Sequence, residues 1–352
     1  MQKGVSIWHF LNRIKRHWCK IGFMTVLSTP TSRIRAIRLR EDLKQIADLI
    51  ELCFLDNIDP EGQEYIRHIR QTANNFSGLI LENTTPENST LPFHGYVWVE
   101  NDKIIGNITL IPLRSKEKGG YFVANVAVHP NYRGRGIGKQ LTERAICHVR
   151  EHQGKHVYLQ VREDNEIAIQ IYRNLGFDEI SRRTMWVYRP SSRLVETIPS
   201  AIKVTNREKE DWSQQRVWLD AMYPRELRWN LPIRLEKMEP TFSNWLTRLM
   251  FSEFQRSWSV RKDSKLIGAV TLDHGSETHD YCWLATSPIW EDEVIRNVFP
   301  VIARKVLFPK RLAVNYPAGR ARASFEAAGM RELNTLLWMK HKISLLNESI
   351  IV

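Results

Sequence analysis

The sequence predicts a mixed α/β (α+β) chain of two tandem domains, and three observations carry that expectation. A β-rich run enters a basic, glycine-spaced loop and then an amphipathic helix over residues 121–149; a second strand and helix follow over 157–177; the same order of signals recurs in worn form after residue 258. At 352 residues the chain has room for two domains of ordinary size, each with its own core.

Tyr121 to Val128 is rich in β-branched and aromatic residues, as a largely buried strand should be. Pro130 ends it, because proline cannot donate to a ladder. From Ile137 the apolar residues Leu141, Ala145 and Val149 recur every fourth position, which is helical spacing. The loop Arg133-Gly134-Arg135-Gly136-Ile137-Gly138-Lys139 therefore sits at a helix N-terminus. Its three glycines remove the Cβ atoms that would hold a ligand off the backbone N–H groups, and a first helical turn leaves about four such donors unpaired. Donors and dipole together make an anion cradle. Two arginines beside it suggest phosphate, whose geometry a guanidinium matches bidentately. The loop reads GxGxG with no acidic residue at the distance a dinucleotide fold needs, and Gly138-Lys139-Gln140 lacks the magnesium-binding hydroxyl of a P-loop. Taken alone, the loop is equally compatible with a plain strand-to-helix turn.

The next element supplies a second signature. Val157 to Val161 reads as a strand, Asp164-Asn165 stands in capping position, Ile167, Ala168, Ile171 and Leu175 form a helical stripe, and Gly176-Phe177 stops it. Arg133, Gly136 and Gly138 fit an Arg-xx-Gly-x-Gly pattern; Asn165, Ala168, Tyr172, Gly176 and Phe177 fit Asn-xx-Ala-xxx-Tyr-xxx-Gly-Phe. In both, over roughly residues 33–190, the chain resembles the GNAT superfamily of N-acetyltransferases, and within it the ribosomal-protein N-terminal acetyltransferases most.

The resemblance implies a GNAT-like fold, a mixed and mostly antiparallel sheet flanked by helices in each domain. It implies acetyl-CoA as co-substrate, a primary amine of a small molecule, peptide or protein as acceptor, and no metal. It also implies site residues. Main-chain groups of Val126, Ala127 and Val128 would pair with the pantetheine arm, and an N–H there would polarise the thioester carbonyl. Arg133, Gly134, Arg135, Gly136, Ile137, Gly138 and Lys139 would hold the pyrophosphate, and Asn165 would hydrogen-bond the cofactor. Tyr172 would be the general acid. A glutamate common in the ribosomal-protein branch is replaced by Gln160, and an amide accepts no proton at neutral pH. The base is then a water leading to Glu163 or another carboxylate, or an acceptor of low pKa makes one unnecessary; His129, next to Pro130, reads as a solvent-facing loop residue. A non-catalytic acyl-CoA-binding sensor is the alternative, and the presence of Tyr172 argues against it.

The remaining elements follow in order. Ile34 to Leu39 alternates as a strand, and Glu41-Asp42 opens a helix with Ile46, Leu49, Ile50, Cys53 and Phe54 on one stripe. Tyr65, Ile66 and Ile69 indicate a second helix, Glu82 to Pro92 a polar loop, and Tyr96 to Val99 with Ile104 to Ile111 a hairpin turning at Asn101-Asp102. Tyr188 closes a domain of residues 33–190, and a linker spans 191–201. In the expected second domain, 202–345, Trp258 to Leu272 parallels Trp98 to Leu110, Ala285-Thr286-Ser287-Pro288 parallels Ala127 to Pro130, and Phe325 to Gly329 parallels Tyr172 to Gly176. Counted from Pro288, Glu291, Val294 and Arg296 replace Arg133, Gly136 and Gly138; counted from Gly329, Phe325 replaces Tyr172 and Ala318 replaces Asn165. This copy reads as degenerate. Tandem architecture is similar to that of mycothiol synthase, where the competent half is the other one.

The formal charge of +12 suggests nucleic acid until its distribution is seen. Nine cations precede the first acidic residue, Glu41, leaving about three for everything after it, so the domains proper are nearly balanced and no nucleic-acid partner is expected. Within the 1–32 extension, Ile7, Leu11, Ile14, Trp18 and Ile21 recur at helical spacing, a pattern open to membrane-surface contact through residues 5–21. The favoured reading is a loosely ordered extension or an upstream start before Met24. Cys19, Cys53, Cys147 and Cys282 lie far apart with no metal-ligand spacing, which suggests reduced thiols and a cytoplasmic protein. The oligomeric state stays open.

Overall fold

The computed structural model describes residues 33–55, 60–74, 94–113, 119–188, 201–228, 230–251, 255–273, 275, 279–305 and 311–344. The 1–32 extension with its 5–21 pattern, the 82–92 loop and all of the 191–201 linker but residue 201 lie outside them.

The N-terminal half runs β1 (Ile34–Ala36), α1 (Leu39–Phe54), α2 (Pro60–Asn74), β2 (Gly95–Glu100), β3 (Lys103–Leu113), β4 (Gly120–Val128), α3 (Ile137–Glu151), β5 (His156–Arg162), α4 (Glu166–Asn174) and β6 (Asp178–Tyr188). The C-terminal half continues with β7 (Ile202–Asn206), α5 (Asp211–Met222), α6 (Leu235–Met238), α7 (Phe242–Phe251), β8 (Gln255–Lys262), β9 (Lys265–Asp273), β10 (His279–Thr286), α8 (Glu291–Lys305), β11 (Arg311–Pro317), α9 (Arg322–Ala327) and β12 (Met330–Lys342). Strand β1 is shorter than its alternation suggests. Asp42 accepts the Arg38 N–H at 2.6 Å and is held by both terminal nitrogens of Arg35. That carboxylate starts the helix at Leu39, two residues earlier than expected.

The two halves repeat each other closely. Both hairpins turn through two residues at positive φ, Asn101-Asp102 and Asp263-Ser264, which is the turn that suits strand twist. Both carry a bulge at the same distance from the turn, between Trp98 and Val99 and between Val260 and Arg261. Counted from the turns, Trp98 corresponds to Val260 rather than to Trp258. A glycine on each hairpin admits the following helix: a Cβ on Gly106 would meet Ile137 Cγ2 at 2.9 Å, and one on Gly268 would meet both Val294 methyls at 2.8 Å.

All strands form one mixed, mostly antiparallel sheet flanked by helices, in the order β1-β2-β3-β4-β5-β12-β6-β11-β10-β9-β8-β7. The halves have exchanged their last strands. β12 lies against β5 of the N-terminal half from Leu336↔Arg162 to Lys342↔His156, and β6 lies against β11 of the C-terminal half from Leu312↔Tyr188 to Pro317↔Arg183. β6 and β12 pair with each other at the centre, from Met330↔Tyr188 to Lys340↔Asp178.

The cores follow the exchange. On one face of the N-terminal half, α1 and α2 bury Leu43, Ile46, Ile66 and Ile69 against Val97, Ile104 and Ala127. On the other, α3 and α4 bury Ile137, Leu141, Ile169 and Tyr172 together with Leu337, Met339 and Ile343 from the far end of the chain. Trp186 and Tyr188 of β6 sit in the C-terminal core, where Trp186 stacks on Phe325 with ring centroids 4.8 Å apart. Leu337→Ala should cost about 2–5 kcal/mol by chemical denaturation and loosen the N-terminal core in hydrogen exchange. A chain ended at residue 190 should show no cooperative unfolding transition, because β5 becomes an open edge over an incomplete core.

Candidate active site

The site is built where β4 leaves β5. The two strands pair in parallel only from Gly120↔His156 to Val123↔Leu159. Beyond that point β4 bulges against β3: Thr109 faces Ala124, but Asn107 faces Ala127. Asn125 takes φ +51° within the bulge, and such an extra residue bends a strand. Polar contacts hold the bend. Asn107 Nδ2 donates to the Asn125 carbonyl at 2.9 Å, and Asn125 Nδ2 donates to the Tyr65 hydroxyl at 2.7 Å. Burial pushes the Tyr65 phenol up to about 12, so it stays protonated. Val126, Ala127 and Val128 form the β4 edge along this parting, and on its β5 side they have no ladder partner among the described residues.

The loop after β4 places its donors at the same end. Gly134 and Gly136 take φ +78° and +74°, the left-handed region that favours glycine. Gly138 is helical, and a Cβ there would meet nothing closer than Val128 Cγ2 at 3.7 Å; at Gly134 it would meet nothing within 4 Å. The protein's own packing therefore does not require Gly138. After Arg133, whose N–H reaches the Pro130 carbonyl at 3.2 Å, Gln140 is the next residue whose N–H finds an acceptor, the Gly136 carbonyl at 3.0 Å; those of Gly134 to Lys139 have none among the described residues. Neither arginine beside them has a carboxylate partner among the described residues. Arg133 Nε donates to the Val128 carbonyl at 3.2 Å, and Arg135 lies over the Tyr132 ring at 4.8 Å. Lys139 approaches only the exposed Glu143, at 3.9 Å. Cys53 Sγ also donates to the Val128 carbonyl, and burial raises its pKa, so it stays a thiol.

Helix α4 brings the second signature alongside. Asn165, not Asp164, is its N-cap: Asn165 Oδ1 accepts the Ala168 N–H at 3.1 Å, while Asp164 pairs with Arg162. The Asn165 Nδ2 amide is left for other use. Tyr172 is 6 % exposed and packs edge-on to Phe177 with centroids 5.8 Å apart. Its hydroxyl has no hydrogen-bond partner among the described residues, and burial alone drives its pKa upward. A structural role as a satisfied core tyrosine would have required a partner.

Gln160 points to the opposite face, since Leu159 and Val161 on either side of it belong to the core under α3 and α4. There it lines a groove that crosses β5, β12, β6, β11 and β10. Glu163 is drawn into an ion pair with Arg182 at the surface. The His129 imidazole caps the turn after β4, accepting the Asn131 N–H at 3.3 Å. The groove has no counterpart in the sequence reading, because its residues come from a loop, 230–232, and from five strands whose order only the exchange sets. That reading also overlooked His148, Glu151 and His152, whose ligand atoms lie within 4.8 Å of one another on α3. Arg144 holds Glu151 through both oxygens and Tyr96 holds His148 Nδ1, while burial, with the neighbouring His152, lowers the His148 pKa to about 4.

The C-terminal half has none of this cradle. β9 and β10 pair without a bulge from Tyr281↔Asp273 to Thr286↔Gly268. α8 starts directly after the turn Pro288–Trp290, so Glu291, Asp292 and Glu293 form a first helical turn in place of the open loop. Val294 packs on Gly268 as Ile137 packs on Gly106, which makes Val294 the counterpart of Ile137 and not of Gly136. The helix end is occupied by the protein's own groups: Glu291 pairs with Arg320, and Asp292 accepts the Ser324 hydroxyl. Phe325, fully buried, stands in place of a tyrosine.

Comparison with known proteins agrees with the geometry of the N-terminal half. Residues 45–177 match the acetyltransferase (GNAT) family. The chain is 41 % identical over 71 residues to the N-alpha-acetyltransferase RimI of Mycobacterium tuberculosis, covering 20 % of this chain and 42 % of that one. It is 30 % identical over 93 residues to the [ribosomal protein bS18]-alanine N-acetyltransferase of Haemophilus influenzae, covering 26 % and 60 %. The chain thus spans less than two thirds of the length of either relative. In fold it is similar to a GCN5-related N-acetyltransferase from Sphaerobacter thermophilus, with a TM-score of 0.54 at 15 % identity, over 89 % of this chain and 97 % of that one. The match to the acetyltransferase (GNAT) family thus falls on residues 45–177, the segment that holds the β4 edge, the glycine loop and Tyr172.

Proposed function

We propose that the protein is an acetyl-CoA-dependent N-acetyltransferase whose N-terminal half is competent and whose acceptor is an α-amine, attacked directly in a ternary complex. One observation supports this most: the unpaired N–H groups of Gly134 to Lys139, around a glycine that packing does not require, lie at the end of the β4 edge that has lost its β5 partner. The residues present fit the group. Acetyl-CoA, when bound, supplies an acyl group activated as a thioester. Gly134 to Lys139 hold its diphosphate through main-chain N–H groups, with Arg133 and Arg135 adding charge. Asn165 Nδ2 donates to the cofactor arm. The bared edge of Val126 to Val128 aligns that arm and offers an N–H to the acyl oxygen.

Tyr172 keeps its proton throughout the neutral range, because burial disfavours the phenolate. Its unpartnered hydroxyl gives that proton to the departing thiolate. Gln160 cannot act as a base, and Glu163 is engaged by Arg182. An acceptor that is already partly neutral needs no base before it attacks, and the proton its nitrogen sheds as the C–N bond forms and the C–S bond breaks restores the one Tyr172 gives up: an α-amine has a pKa of about 7.7–8.0, a lysine amine about 10.4. Most of the acceleration then comes from placing the amine beside the thioester, a contribution of roughly 7–11 kcal/mol. Relatives named for N-alpha acetylation and for ribosomal-protein alanine are consistent with that acceptor.

Three outcomes test this reading. Tyr172→Phe should lower kcat about 10²- to 10⁴-fold, with acetyl-CoA affinity and thermal stability retained, since the hydroxyl has no partner to lose; unchanged turnover rejects the acid role. Gly138→Ala should raise the KM for acetyl-CoA about tenfold or more, near 1.4 kcal/mol, while Tm holds or rises, because alanine is the better helix former. Turnover should climb with pH through the acceptor's own pKa and then stay level up to the ordinary phenol range. Tyr172 loses its proton only above that range, so no falling alkaline limb is expected from it below that point. A bell-shaped profile with an enzyme base near about 6–7 contradicts the mechanism.

A further inference from the structure

Arg183 is 3 % exposed and has no carboxylate partner among the described residues. Its guanidinium is held by neutral acceptors alone: Nε donates to Asn315 Oδ1 at 2.7 Å, one terminal nitrogen to the Met222 carbonyl at 2.9 Å, and the other to the Asn315 carbonyl at 3.0 Å. Tyr223 adds its ring at 5.1 Å. Keeping a cation in such a place costs several kcal/mol, so its neighbour Asn315 is the informative group. Because Arg183 Nε can only donate, the Asn315 amide is fixed with Oδ1 toward the guanidinium. Its Nδ2 has no partner among the described residues and is not enclosed, and Asn315 lines the groove that Gln160 enters from the other end. The result is a hydrogen-bond donor polarised by a buried positive charge.

The rest of the groove agrees with an acceptor-binding role for a neutral, elongated ligand. Tyr281 offers aromatic surface over the buried Trp338, a bulge between Glu332 and Asn334 accompanies Leu333 and Asn334 at the lining, and no Asp or Glu lines it among the described residues. A polyamine or other multiply charged amine would find no counter-charge among the described lining residues, and Arg183 behind the wall would repel it. Gln160 pairs with Trp338, and Asn315 stands three strands away and four residues further along. From strand and residue spacings that is roughly 20 Å, or about six extended residues.

We propose that this groove binds the acceptor as an extended peptide, its α-amine at Gln160, and that Asn315, supplied by the C-terminal half and oriented by Arg183, determines specificity by donating to a peptide carbonyl. This deepens the acyl-transfer reading and rests on it. The test is calorimetry on the full chain with two probes, the C-terminally amidated hexapeptide Ala-Ser-Ala-Ser-Ala-Ser and spermidine, using Asn315→Asp and Asn315→Ala. Asn315→Asp keeps the shape and gives Arg183 a counter-ion, so it should fold. Wild type should bind the peptide more tightly than spermidine. Both variants should weaken the peptide about ten- to hundredfold, as expected where a buried group loses its partner. Only Asn315→Asp should strengthen spermidine. The calorimetric affinity for acetyl-CoA should not move. No heat from the peptide at millimolar concentration, equal affinity for spermidine in wild type, or peptide affinity within twofold in both variants overturns the proposal. These readouts need no turnover, so binding as described without acyl transfer to any amine would count against the reaction and not the groove.

Discussion

The ladder between β6 and β12 is the constraint on which the molecule depends. It places the last strand of each half inside the other and joins what would be two sheets into one. Each core is thereby completed from a distance. Leu337, Met339 and Ile343 lie beside Tyr172, and Trp186 lies beside Phe325. Neither half has a finished hydrophobic layer of its own, so the C-terminal half is structurally required even though it lacks the open glycine loop of the other.

The two halves use the same backbone to opposite ends. In each, a glycine on a hairpin lets a helix dock, and in each the strand before that helix runs parallel to the next strand for only a few residues. What differs is the electrostatics of the helix end. In the N-terminal half the donors stay vacant and cationic side chains stand near them; in the C-terminal half three acidic residues form the first turn, with an arginine and a serine closing on them. A carboxylate at a helix N-terminus is itself stabilising by roughly 0.3–1 kcal/mol. The C-terminal half therefore has filled with its own side chains the place that corresponds to the unpaired N–H groups of the N-terminal half.

Local chemistry was legible in the sequence, and long-range pairing was not. The helix stop at Gly176, the turns at Asn101-Asp102 and the cap at Asn165 follow from residue type and spacing alone. The bend at Asn125 does not, because it comes from contacts with Asn107 on a neighbouring strand and Tyr65 on a distant helix. The exchange of β6 and β12 is equally hidden: alternation sets which face a strand buries but not which strand lies beside it. Nothing in the polar run Ser181-Arg182-Arg183-Thr184 signals burial, yet Arg183 is buried, because Asn315 comes from 132 residues away to receive it. The shortened turn before α8 shows the limit of counting from a shared proline, since a helix begun one turn early shifts every later correspondence.

The central position of β12 also bears on how the chain is made. Its partner on one side, β5, is synthesised some 170 residues earlier, as the pair Leu336↔Arg162 shows. Contacts of such separation are slow to form, because the intervening chain must first give up its freedom. A nascent chain on the ribosome would hold β5 and β6 apart, with a gap between them of one strand's width, until the final strand emerges. Chaperone attention during translation is then a direct cost of an architecture in which the middle of the sheet is laid last.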